Sequence, residues 1–178
     1  FPLGITSAGA LLVYLDQTHH TELSNICSIS RIDEGSFVWM DRFTFRNLEI
    51  FASTAGKEGT SLIEVMDKCS SPMGARMLRN WLAMPVMDLQ ELEDRYSVVQ
   101  CFVDSQDDLS RLQAMIGDIG DLERIISRAA AGKIVPREVM QLRRGLGQTK
   151  PITDLCRRQG IAALDDMISR MGDCAELL

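Results

Sequence analysis

The chain has 178 residues, a formal charge of −6 from 19 Lys plus Arg against 25 Asp plus Glu, 46% apolar and 6% aromatic residues, and a mean hydropathy of −0.01. These values exclude collagen-like and disordered classes, and no run reaches the ~18 apolar residues of a membrane span. The acidic total argues against a dedicated nucleic-acid module.

Length allows one domain, or two small ones, burying roughly 70% of the unfolded chain's surface. Phe1-Pro2-Leu3-Gly4 has no basic n-region, so no secretory signal is expected, and its lack of Met points to a processed or excised chain.

The helical period dominates. Ser7 can cap a helix through Leu11, Leu12, Tyr14 and Leu15 that ends near His19-His20. Residues 29–40 are the one strand-like passage, with Asp33-Glu34-Gly35 as a three-residue turn, and they predict a β-hairpin leaning on helices. Ser, Thr and Gly interrupt the period over 52–60, which makes that stretch a linker.

Ser61 to Glu64 has the capping-box form, ahead of Leu62, Val65, Met66 and Cys69 at helical spacing. Ser71-Pro72 supplies an N-cap and a first-turn proline for a helix bearing Met73, Met77, Leu78, Trp81 and Leu82. Asp88 to Glu91 repeats the capping form before Leu89, Leu92, Tyr96, Val99 and Val103. Asp121 opens a helix with a stripe of Leu122, Ile125, Ile126, Ala129 and Ala130; Gly132 stops it and Pro136 starts the next. Leu109, Leu112 and Ile116 mark a further short helix, and Leu164, Met167, Ile168 and Met171 the last. The expected fold is mainly α, nine or ten helices with one small hairpin.

Catalytic chemistry finds no foothold. Gly56-Lys57-Glu58 fails as a phosphate loop, because Phe51 stands where the first glycine belongs and Glu58 where a magnesium-binding hydroxyl belongs. His19 and His20 point about 100° apart on a helix, so they cannot share an ion without other ligands. Cys27, Cys69, Cys101, Cys156 and Cys174 form no C-x-x-C pair and suit reduced thiols packed as small apolar residues. Asp107-Asp108 and Asp165-Asp166 sit near helix starts, where a solvated, dipole-favoured face is the default. Met73, Met77 and Met84 lie at core spacing with Trp81 and Leu82 rather than in a binding groove.

Charge is uneven: a local −6 over 84–120 is followed by +5 over 121–158. The basic stretch either pairs with the acidic helices or meets a polyanion, and Arg137, Arg143 and Arg144 are its candidate DNA- or domain-contact residues.

Two passages go further. One runs Met40-Asp41-x-x-Thr44-x-x-Asn47-Leu48-Glu49-Ile50, then Gly59-Thr60-x-Leu62, then Ser71-Pro72-Met73-Gly74-Ala75-Arg76-x-Leu78-Arg79-x-Trp81-Leu82-x-x-Pro85, with Arg95 and Val98 downstream. The other is Gly120-Asp121-Leu122-Glu123-Arg124-Ile125-x-x-Arg128 with Pro136-Arg137-Glu138. Together they resemble the core (lever) domain of the bacterial MutS mismatch-repair family, in order and over nearly all of 1–178. Ser61, Ser71 and Val86 are mild departures from that pattern.

The resemblance implies a non-catalytic scaffold that couples an ATPase domain to a DNA clamp, with no cofactor of its own. The parent would be a homodimeric mismatch sensor using ATP and magnesium, bound to double-stranded mismatched DNA. Connector, clamp and ATPase domains would be the fragment's neighbours in the same chain. The setting would be the bacterial cytoplasm at the nucleoid, with no membrane partner. The alternative is a free-standing helical adaptor binding a protein through Met-rich or acidic surfaces.

Overall fold

The computed structural model describes residues 2–18, 26, 28–30 and 34–172. His19, His20, Cys27, Cys174 and residues 31–33 of the expected hairpin lie outside the described residues. Among those described, ten α-helices follow one another: α1 Pro2–Gln17, α2 Arg42–Asn47, α3 Leu62–Met66, α4 Pro72–Ala83, α5 Leu89–Asp104, α6 Gln106–Ile119, α7 Leu122–Ala130, α8 Pro136–Gly147, α9 Thr149–Arg158 and α10 Ala162–Ser169. None is long and apolar enough to cross a membrane.

Local chemistry sets most helix starts. Side chains of Asp41, Ser71, Asp88 and Asp121 each accept from the backbone N–H three residues on, at 2.7, 3.1, 2.8 and 3.3 Å. Each satisfies a donor the helix leaves without a partner. At α3, Glu64 accepts from both the backbone N–H and the hydroxyl of the buried Ser61, at 2.7 and 2.8 Å. Pro72 and Pro136 occupy first turns, and Gly132 (φ 65°) ends α7 while Lys133 N–H returns to Arg128 O at 2.8 Å.

The β-hairpin over 29–40 is not found. Val38 N–H donates to Pro85 O (2.8 Å), Met87 N–H donates to Ser36 O (3.1 Å), and Phe37 forms an isolated antiparallel bridge with Val86. Glu34–Ser36 is a 3-10 turn, and no strand occurs among the described residues. The backbone groups of 36–38 find the extended residues after Pro85, around buried Val86, instead of a neighbouring strand. The stretch 52–60 is a loop containing a 3-10 turn at Gly56–Glu58. Its ends are fastened where Leu62 N–H meets Glu49 O (2.9 Å) and Ile63 N–H meets Ile50 O (3.0 Å).

The core sits in the C-terminal half. Phe102 of α5, Ile152, Leu155 and Cys156 of α9, and Leu164 and Ile168 of α10 form its buried cluster, ringed by Val98, Leu109, Leu112, Met115, Ile116, Ile119 and Ile161. There α6 packs on α5, α8 and α9, α10 on α5 and α9, and α8 on α7 and α9.

Several apolar stripes expected to be buried face outward. In α3 Ile63 is buried, while Leu62, Val65 and Met66 are exposed, as is Cys69 just beyond. Met77, Trp81 and Met84 are exposed, and so are Leu89, Tyr96, Val99 and Val103 of α5 and Ile126 of α7. Periodicity marks an apolar face but not what covers it.

Candidate interhelix joint and basic face

The two motif passages meet in space. Arg76, one turn into α4, donates from Nη1 to Asp121 Oδ2 at 3.0 Å and from Nη2 to Asp121 Oδ1 at 2.7 Å. Its Nε and Nη2 also reach Glu123 Oε2, at 2.9 and 2.5 Å. A planar guanidinium can make this double fork; a lysine ammonium cannot. Hydrogen bonding from Arg76 first, then from the backbone of Arg124, outweighs partial desolvation and holds the Asp121 carboxyl below its ordinary 3.8. The Arg76 guanidinium is correspondingly raised, by Asp121 first and then Glu123. Asp121 thus caps α7 and receives α4 with one carboxylate.

A second ionic joint links α7 to α8. Arg128 Nε lies 2.8 Å from Glu138 Oε1, and its Nη2 donates to Lys133 O at 3.0 Å. Glu138 also accepts from Val135 N–H at 3.0 Å, closing the first turn of α8. Close approach behind this joint depends on glycine. A Cβ on buried Gly145 would stand 2.6 Å from Ile119 O and 2.9 Å from Leu122 Cδ2.

Arg137, Arg143 and Arg144 all lie on α8 and all are exposed. Seven residues apart, Arg137 and Arg144 share a face about 10 Å apart along the axis, while Arg143 is turned about 100° away. Among the described residues no ion pair joins the acidic 84–120 stretch to the basic 121–158 stretch. Arg128 finds Glu138 within its own stretch instead.

The described residues assemble neither a phosphate loop nor a metal-ligand cluster. The Gly56-Lys57-Glu58 turn has no hydroxyl at the magnesium position, and no group of three or more His, Cys, Asp or Glu among the described residues could hold a metal. Cys156 is buried, and that burial pushes its thiol up, as suits packing rather than reactivity.

Three contacts between side chains were invisible to periodicity. Arg79 lies over the Phe51 ring at 4.4 Å, and Phe51 stacks on Phe45 with centroids 5.5 Å apart. Arg95, paired with Glu91 at 2.5 Å, lies 3.8 Å above the Trp81 ring and joins α5 to α4. The only advance signal was that Arg79, Trp81 and Arg95 belong to one motif passage.

The family model described as MutS domain III matches residues 43–177. The chain is 44% identical over 173 residues to the DNA mismatch repair protein MutS of Parabacteroides distasonis, an alignment covering 97% of this chain and 20% of that protein. It is 41% identical over 174 residues to the protein of the same name from Cytophaga hutchinsonii, covering 98% and 20%. With that of Christiangramia forsetii it shares 45% over 166 residues, covering 92% and 19%. The chain spans about one fifth of the length of these relatives.

Proposed function

The chain belongs to the MutS domain III family, and from that premise we propose that it is a non-catalytic body carrying movement between the nucleotide-binding and DNA-gripping parts of a mismatch-repair ATPase. The parent would be a dimer using ATP and magnesium at a domain outside these residues, bound to mismatched duplex DNA in the bacterial cytoplasm. No nucleotide step is assigned to this chain, whose Gly56-Lys57-Glu58 turn lacks the features of a phosphate loop.

The observation that carries the reading is the Arg76 joint. A body transmits displacement only if its parts move together, and coupling needs an element whose arrangement both sites bias. Arg76 ties α4 to the start of α7, Arg95 ties α5 to α4 through Trp81, and Arg128 ties α7 to α8. Two of these ties are ion pairs and the third is a cation–π contact, so load can pass between helices through charged groups as well as through the apolar core. Arg137, Arg143 and Arg144 would offer the DNA backbone or a neighbouring domain a basic face on the same body.

The test uses site-specific spin labels in the full-length protein at exposed Asn80 on α4 and exposed Lys150 on α9. The distance between them should stay constant when ATP replaces ADP, while the distance from Asn80 to the DNA-gripping part changes. A change between Asn80 and Lys150 as large as that to the DNA-gripping part would overturn the rigid-body reading.

A further inference from the structure

Two cysteines sit on the core-facing sides of α5 and α9. On α5, Val98, Cys101 and Phe102 stand at i, i+3 and i+4 and share one face. Val98 and Phe102 of that face pack in the core cluster. On α9, Ile152, Leu155 and Cys156 are buried in the same cluster, and Gln159 follows one turn after Cys156 on the same side. A polar chain fixes the level at which the two faces meet. The Cys101 thiol donates to Gln159 Oε1 at 3.3 Å, and Gln159 Nε2 donates to Asp108 Oδ2 of α6 at 2.8 Å. Cys101 is thus held beside the last turn of α9, the turn that carries Cys156.

The two thiols differ in access. Cys101 is half-buried and Cys156 is buried, so of this pair a reagent in solvent meets Cys101. Burial first, and then nearby Cys101, pushes the Cys156 thiol up, so Cys156 rests protonated and out of reach. A reachable thiol backed by a buried second one suits sequential exchange with a small-molecule disulfide. The Cys101 thiolate attacks one sulfur of the reagent, the S–S bond breaks, and one small thiolate leaves. The Cys156 thiolate then attacks the Cys101 sulfur, forming the Cys101–Cys156 bond and expelling the second small thiolate. Two protein thiols are oxidised, the reagent is reduced to two thiols, and the two cysteine protons end on them. The new bond would replace the Cys101–Gln159 hydrogen bond and tie α5 to α9, enclosing α6, α7 and α8 in a covalent loop. Cys69, the exposed thiol between α3 and α4, lies on neither helix and serves as an internal reference.

We propose that Cys101 and Cys156 are a thiol pair that closes to a disulfide between α5 and α9 when the protein meets a small-molecule disulfide. This does not depend on whether the body transmits nucleotide state. The test treats the folded full-length protein with oxidised glutathione and maps its disulfides by mass spectrometry. Cys101–Cys156 should form at least about tenfold more than any other pair among the five cysteines of these residues, and should reopen with dithiothreitol. In the urea-unfolded chain that preference should vanish. Cys156→Ser should trap Cys101 as its mixed disulfide with glutathione, and Cys101→Ser should leave Cys156 unmodified, with both variants folded by circular dichroism. Cys101 stopping at the mixed disulfide in the unsubstituted protein would overturn the proposal. So would pairing of Cys101 with Cys69, an unmodified Cys101 beside a modified Cys69, or a preference that persists in urea.

Discussion

Arg76 and Asp121, 45 residues apart, meet through a two-pronged hydrogen bond of 3.0 and 2.7 Å, and the same aspartate caps α7. Arg76→Lys retains the charge but not the fork, so it should recover less than half of the stability lost in Arg76→Ala. Urea midpoints of the two variants check this. The loss on Arg76→Ala should shrink in 1 M salt, because the joint is half open to solvent.

Acid should loosen the N-terminal half and the α4–α7 joint together. Asp41, Glu49, Glu64 and Asp121 are each held below their ordinary values of 3.8 or 4.5, chiefly by hydrogen bonds from Thr44 N–H, the Thr54 hydroxyl, Ser61 N–H and Arg76 respectively. A carboxylate depressed by folding contributes stability that is complete above its unfolded value and lost as pH falls through its folded value. Stability should therefore be flat between about pH 7 and 5 and fall below about pH 4. Asp121→Asn should flatten part of that fall, as read from thermal midpoints against pH.

Two glycines on neighbouring helices should respond to alanine with opposite signs. At Gly145 a Cβ meets Ile119 O at 2.6 Å, an immovable backbone atom, so Gly145→Ala should cost about 1–3 kcal/mol. At Gly117 the nearest atom is 3.9 Å away in an exposed part of α6, so Gly117→Ala should gain about 0.5–1 kcal/mol. Equilibrium unfolding of the two single variants decides it.

The helix starts at Ser71, Asp88 and Asp121 were legible because a cap is a contact over three residues and needs only sequence neighbours, whereas Ser7, expected as a cap, lies inside α1, which begins at Pro2. The hairpin misled because Phe37 and Val38 are strand-like residues whose backbone partner, Pro85 to Val86, lies some 48 residues on, beyond any local pattern. The stripes of α3, α4 and α5 announced apolar faces correctly, but burial depends on what lies opposite, and nothing described lies opposite Tyr96 or Val65. Arg76 was visible as a motif residue. Its partners were not, since ion pairing across 45 residues leaves no periodic trace.

The basic face gives a salt-dependent prediction in the full-length protein. Arg143 and Arg144 are exposed and form no ion pair among the described residues. If this face meets DNA phosphates, replacing both with alanine should weaken binding equally for matched and mismatched duplexes. It should also reduce the slope of log affinity against log salt by about 1–2. An unchanged slope would assign these arginines to a neighbouring domain instead.

The central claim is that this body passes nucleotide state to DNA grip through joints such as Arg76–Asp121. The most direct measurement is the ratio of DNA dissociation rates with and without ATP, in the full-length protein and in the Arg76→Ala, Asp121→Ala and double variants. The account predicts that each single variant lowers the ratio and that the double lowers it no further, with ATP hydrolysis and nucleotide-free DNA affinity retained. A ratio equal to that of the unsubstituted protein in all three variants would contradict it.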